Sequence, residues 1–207
     1  LVNMLMTLAW LPAVSKQDST RYAAYADWPN RLWKASELVP PRLAHLVASA
    51  YPILDGTEFN YDMSTALGLR TKVELNEVLG HFEKVRKLPM QDSNSNAIWQ
   101  AATSAYRFFG QTQTVMRIIG LSTIPSVYVE GSWQRPDRCF FNSPIKTRWT
   151  ISLQEIKLGT ESIEERKGLE KMGVQPSPDY EHWLKLLQEL SRENGDKSLP
   201  EKPDKEE

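Results

Sequence analysis

The feature that most constrains the fold is a helical spacing of apolar residues that recurs from Thr71 onward. Leu75, Val78 and Phe82 follow one another at intervals of three or four residues, which places them on one face of an α-helix. Thr71 and Glu74 have the spacing of a capping box just before this stripe. The pattern predicts helices at residues 72–88, 95–119, 161–173 and 178–193, the second with a shorter helical piece after Gly110.

Residues 124–141 interrupt the helical spacing. Val127 and Val129 alternate with larger polar or aromatic neighbours, which is the period of a β-strand. Gly131 and Ser132 offer a turn between two such runs. The sequence therefore predicts a β-hairpin near the middle of the chain.

The first third of the chain, up to about residue 59, is rich in tryptophan and proline and shows little helical period. Residues 8–13 and 43–54 are typical of extended, buried segments broken by prolines. Residues 22–26 fit either a helical turn or a loop. We therefore predict an α+β fold, with a β-rich N-terminal part, a central hairpin and four or five amphipathic helices.

Residues 1–190 are predicted to form a single α+β domain, because no flexible linker interrupts them. Residues 191–207 carry four basic and six acidic side chains, and Leu199 is their only apolar one. Such a segment buries too little surface to offset its ordering entropy, so we expect a charged, disordered tail or linker. Because the chain opens on Leu1, we also expect it to be a piece of a larger protein.

The charge balance excludes some partners. The chain has 25 basic and 26 acidic residues, whereas nucleic-acid binders usually carry a basic surplus. The weakly charged residues 1–14 are shorter than the roughly 18 apolar residues of a membrane span, and they lack the basic start of a signal peptide. One cysteine permits no internal disulfide. We expect a cytoplasmic protein that binds neither nucleic acid nor membrane.

Motifs for metal, nucleotide or nucleophilic chemistry are missing from the sequence. The three histidines do not have the spacing of metal ligands, and neither a P-loop nor a G-x-S-x-G turn occurs. We therefore expect no catalytic site, metal or cofactor. His81 and His182 are interpreted as helix-surface or boundary residues, and Cys139 as a buried structural thiol.

Two functional alternatives remain open at this stage. The first is a hydrolase or transferase whose site is assembled from distant residues, namely His45, Asp55 and Cys139. The second is a plain scaffold or adaptor domain that recruits proteins through Trp133 and Arg135. These two residues lie at the predicted hairpin and have the composition of a protein-binding anchor.

Several short motifs occur in an order that resembles the internal repeats of sacsin and sacsin-like proteins. They are residues 10–13 (WLPA), 33–41 (WKASELVPP), 46–55 (LVASAYPILD), 66–69 (ALGL), 126–141 around Trp133 and Pro136, and 169–174 (LEKMGV) followed by Tyr180, Leu184 and Leu187. The resemblance extends in order over residues 8–190.

In that family, each repeat begins with a chaperone-type ATPase domain, and a further segment follows it. The chain resembles this following segment, because it lacks the nucleotide motifs of the ATPase domain. The resemblance implies a non-catalytic structural or protein-interaction segment of a large cytoplasmic chaperone or co-chaperone involved in protein quality control. Its implied partners are other domains of the same long chain, including the ATPase domain, and client proteins.

Overall fold

The fold was analysed in a computed structural model, which describes residues 2–15, 18, 20–22, 28–56, 59–113, 116–141, 154–155 and 162–193. The α-helices of these residues, labelled α1 to α8 in chain order, are Val2–Thr7, Pro41–Val47, Tyr61–Ala66, Leu75–Arg86, Asp92–Gln111, Met116–Ile119, Ile163–Met172 and Tyr180–Glu193. The strands, β1 to β6, are Ala9–Leu11, Trp33–Lys34, Val127–Val129, Ser132–Gln134, Cys139–Phe140 and Gln154–Glu155. The predicted α+β class is confirmed.

The strands of the described residues pair two by two. β1 and β2 are antiparallel, β3 and β4 form the antiparallel hairpin, and β5 and β6 are parallel. The hairpin is confirmed, but its turn lies one residue earlier than predicted. Glu130 and Gly131 are the central residues, with φ of 47° and 82°. A two-residue turn of type I′ requires positive φ at both positions, and glycine adopts it at no steric cost.

The N-terminal third is less extended than predicted. Residues 43–47 belong to helix α2, so the prediction of an extended segment there is wrong. Pro41 occupies the first turn of α2, where its missing N–H costs nothing and its fixed φ suits a helix. Within residues 43–54, all of which the structure describes, only Ile53 and Leu54 make β-bridges, to Val39 and Ala13 respectively. The prolines at 40 and 41 therefore begin a helix where the sequence predicted an extended segment.

Helix α4 confirms the predicted amphipathic helix, with a different cap. The backbone N–H of Glu74 donates to the Glu77 carboxylate at 2.8 Å, so the capping pair lies three residues beyond the Thr71–Glu74 pair that the spacing suggested. Arg70 donates to the same carboxylate at 2.7 Å, and the Tyr51 hydroxyl donates to it as well. The start of α4 is thus fixed to the loop before it and to the turn that follows α2.

Helix α5 begins at Asp92, earlier than predicted, and ends at Gln111. Asn94 lies inside the first turn, where its side-chain oxygen accepts from the Gln91 N–H at 3.1 Å. Thr112 is extended, so the predicted helix at 95–119 is divided into α5 and a separate short helix, α6. The shorter piece predicted after Gly110 is therefore present, but the break comes at Thr112.

The main core forms around α5. The ring of Phe82 meets those of Tyr106 and Phe109 edge-on, at centroid distances of 6.0 and 5.7 Å. Buried residues of α7, including Leu169 and Met172, belong to the same cluster. A second, smaller cluster lies in the N-terminal part. It consists of Leu11, Trp33, Ala35, Leu38, Leu54 and Leu69.

Helices α5 and α7 approach each other closely at two glycines. A Cβ atom on Gly168 would lie 1.9 Å from the carbonyl oxygen of Tyr106, and one on Gly110 would lie 1.9 Å from that of Glu164. Neither position has room for a side chain, since real Cβ contacts do not approach 3.0 Å. The two backbones therefore touch.

Polar contacts reinforce this crossing. Glu165 is buried and accepts from Arg107 at 3.3 Å. Burial raises the pKa of the Glu165 carboxyl, and the Arg107 guanidinium partly offsets that effect. The Lys171 ammonium donates to the carbonyl oxygens of Phe109, Gly110 and Thr112 at 2.9, 2.8 and 2.7 Å. These carbonyls belong to the end of α5, where helices leave such groups without intrahelical partners.

The last two helices follow the sequence pattern. Helix α7 ends on Gly173, whose φ of 106° is left-handed, and the Val174 N–H bonds back to Leu169 at 3.0 Å. Helix α8 covers most of the predicted 178–193 segment. Residues 194–207, most of the predicted tail, lie outside the described residues.

Candidate interaction surface

Trp133, predicted as a protein-binding anchor, lies on β4 with its ring directed toward the core. The ring contacts Phe82 and Tyr128 edge-on, at centroid distances of 5.6 and 5.2 Å. Its Nε1 atom is buried, and no described residue accepts its hydrogen. The side chain is half-buried, so only part of it is available to another protein.

Arg135, its predicted companion, is exposed and follows β4. Its guanidinium pairs with the Asp137 carboxylate through two hydrogen bonds of 3.1 and 2.7 Å. Exposed pairs of this kind contribute little to stability. The pairing of Trp133 with Arg135 as one binding site stays a prediction.

The three residues of the enzyme alternative have separate surroundings. His45 packs against the Tyr22 ring at 5.1 Å, Asp55 lies on the surface after Leu54, and Cys139 is buried in the main core. Among the described residues, no hydrogen bond joins any two of the three.

Cys139 is a buried thiol, as the sequence predicted. Its Sγ atom donates to the Arg135 carbonyl at 3.3 Å. Burial, together with the nearby Asp137 charge, raises the pKa of the thiol to about 12. A nucleophilic cysteine needs the opposite shift, because the thiolate is the reactive form.

His81 is buried, so its interpretation as a surface or boundary residue is wrong. The Ser49 N–H donates to its Nδ1 atom at 3.3 Å, which leaves the proton of the neutral ring on Nε2. Burial lowers the pKa of His81 to about 4, and the charges of His45 and Lys84 act in the same direction. Burial also lowers the pKa of His45. The side chain of His182 lies outside the described residues.

The neutral state of His81 predicts acid sensitivity. In the unfolded chain its pKa is about 6.5, so its contribution to stability is complete above that value and is lost as pH falls toward about 4. We expect the free energy of unfolding, measured by urea denaturation, to be lower by about 2 kcal/mol at pH 5.0 than at pH 7.5 on account of His81.

His81→Gln is the matched variant, since its amide oxygen can still accept from Ser49. It should lose most of this difference between the two pH values, while the other titrating groups act equally in both proteins. A variant that keeps the full pH dependence would show that His81 is not its source.

Helix α8 presents the most distinct exposed apolar face. Tyr180, Leu184 and Leu187 lie at helical spacing and are 77%, 43% and 62% exposed. Within the described chain, α8 packs extensively on no other helix or strand. Apolar groups in such a stripe normally face a core or a partner. We therefore regard this face, the α8 stripe, as the candidate interaction surface.

The sequence predicts this apolar stripe, but it does not show that the stripe is exposed. The period of α8 resembles that of α4, and α4 buries its stripe. Since both helices have the same apolar pattern, only the packing of the other elements distinguishes them. The prediction of Trp133 depends instead on its place at the hairpin beside Arg135.

Comparison with protein-family models, curated proteins and solved structures finds no match to this chain. In the part of the chain that the structure describes, no helix is both long and apolar enough to cross a membrane. Nor do three or more histidine, cysteine, aspartate or glutamate side chains of these residues meet where they could hold a metal ion.

Proposed function

We propose that the chain is a non-catalytic protein-interaction segment of a large cytoplasmic chaperone or co-chaperone that resembles sacsin repeats and acts in protein quality control. The observation that carries the proposal is the α8 stripe, an apolar helix face that the rest of the described chain leaves open. Its proposed occupant is the chaperone-type ATPase domain of the same parent chain.

The positions of the resembling motifs support a structural role for them. Leu11, Trp33, Leu54 and Leu69 come from four of the motif blocks, and their side chains meet in the smaller core cluster. Residues that meet in a core are conserved for packing in any family that shares the fold. The motifs are therefore suited to positioning the chain's helices.

The charges of α8 favour a protein partner over a lipid surface. The helix has three acidic residues, Glu181, Glu189 and Glu193, and two basic ones, Lys185 and Arg192. Helices that bind anionic membranes carry a basic polar face instead. An apolar stripe beside a nearly neutral polar face is suited to packing against another domain.

Binding of the neighbouring ATPase domain tests the proposal. Leu184→Lys with Leu187→Lys should weaken its affinity for the chain at least tenfold, measured by isothermal titration with the two purified proteins. Lysine is a good helix former, and both positions are exposed, so the melting temperature should change little.

Gln188→Lys is the control for a single added charge, because it places a lysine at an exposed polar position of the same helix. It should bind normally. Equal binding by the double variant and the parent chain would refute the role of the α8 stripe. Micromolar binding of ATP and Mg²⁺ to the chain itself would refute the non-catalytic assignment separately.

A further inference from the structure

A surface groove of about 900 Å³ lies beside β1 and β2. Its walls are the segments that follow β1 and precede β2, with Asp55 at one side. Backbone hydrogen bonds fix one wall, because Val14 donates to the Ile53 carbonyl at 2.8 Å and Asp55 donates to that of Pro12 at 3.0 Å. Main-chain contacts thus hold this wall of the groove in place.

The apolar part of the groove combines ring-shaped side chains with aliphatic ones. Pro12, Trp28, Pro29 and Leu32 line it, and Leu32 is 53% exposed. The Trp28 ring is held edge-on against Trp33 at a centroid distance of 6.4 Å. Grooves lined by aromatic rings can recognise proline-rich segments. Such segments already adopt the polyproline II helix, so they lose little conformational entropy on binding.

The polar part of the groove offers one charge of each sign. Arg31 stacks over the Trp33 ring at 4.0 Å, and its only ion pair among the described residues is a long one of 3.5 Å to Glu37. The Asp55 carboxylate forms no ion pair within the described chain. An occupant that presents one acidic and one basic side chain would complement both.

A segment of this chain has that composition. Residues 199–203 read Leu-Pro-Glu-Lys-Pro, with two prolines flanking Glu201 and Lys202. They lie outside the described residues. We propose that the groove is a peptide-binding site for this segment, with Pro200 and Pro203 against Trp28 and its apolar neighbours.

In this proposal, two charge pairs set the direction in which the segment lies along the groove. Glu201 pairs with Arg31, and Lys202 pairs with Asp55. This site uses other residues than the α8 stripe. Its test is therefore independent of the test of the function proposed above.

Competition between the chain's own segment and an added peptide tests the proposal. The full chain carrying Pro200→Ala and Pro203→Ala is titrated with a synthetic peptide of residues 197–205, and binding is followed by isothermal titration. We expect binding about tenfold tighter than to the parent chain, because a tethered segment competes at a high effective concentration. No binding to the double variant at millimolar peptide would overturn the proposal.

A charge exchange tests the contact with Asp55. The peptide with Lys202→Glu should bind the double variant at least tenfold more weakly, and adding Asp55→Lys to the chain should restore its binding. Asp62→Lys, an exposed carboxylate that does not line the groove, is the control and should restore nothing. If Asp55→Lys does not fold, the comparison of the original and the Lys202→Glu peptide on the double variant still tests the proposal.

Two further outcomes would overturn the assignment. One is equal binding of the original and the Lys202→Glu peptide. The other is tighter binding of an unrelated proline-rich peptide without the Glu-Lys pair, which would mark the groove as a receptor for other proteins.

Discussion

Gly168→Ala should lower the free energy of unfolding by about 3 kcal/mol, the upper end of the usual cost of overpacking. The added methyl group would lie 1.9 Å from the Tyr106 carbonyl oxygen, and 3.1 Å from the Gly110 nitrogen. Both atoms belong to the backbone of α5, so no side chain can move aside and the two helices must separate. Urea denaturation followed by circular dichroism measures the loss.

Gly80→Ala is the matched control, because Gly80 also lies inside a helix but a Cβ there would meet nothing within 4 Å. It should stabilise the protein by roughly 0.5–1 kcal/mol, since alanine restricts the unfolded chain and favours the helix. Similar effects of the two substitutions would mean that α5 and α7 are not in backbone contact.

Lys171→Met should cost about 3 kcal/mol of the free energy of unfolding. Methionine keeps most of the apolar stem but removes the ammonium that binds three carbonyls at the end of α5. Those carbonyls also form the negative end of the α5 dipole, which a cation stabilises. The same denaturation experiment measures the change.

Lys167→Met on the same helix is the control, since Lys167 is exposed. It should change stability by no more than about 0.5 kcal/mol. A loss below about 1 kcal/mol for Lys171→Met would show that the three hydrogen bonds contribute little.

Elements with strong local signals could be predicted from sequence. Gly173 ends α7 because a left-handed residue is needed there, and the alternation of Val127 and Val129 specifies a strand. Helix α2 could not be predicted, because prolines can both begin and break helices. The outcome depends on whether the following residues, such as Ala44 and Val47, find a core to enter.

The candidate surface was harder to predict than the fold. Sequence shows that Leu184 and Leu187 share a face, but exposure depends on what the remaining chain places against them. The same limitation explains His81. It borders the apolar stripe of α4, and the approach of the Ser49 backbone makes it a buried residue.

Gly168 also has a consequence for the order of events in folding. Arg107 and Glu165 beside the crossing are 58 residues apart in sequence, whereas the strands of the hairpin and the capping pair of α4 join near neighbours. Contacts between distant residues form late, because the intervening loop must close first. Substitutions at the crossing should therefore speed unfolding more than they slow folding, and the docking of α7 should set the lifetime of the native state.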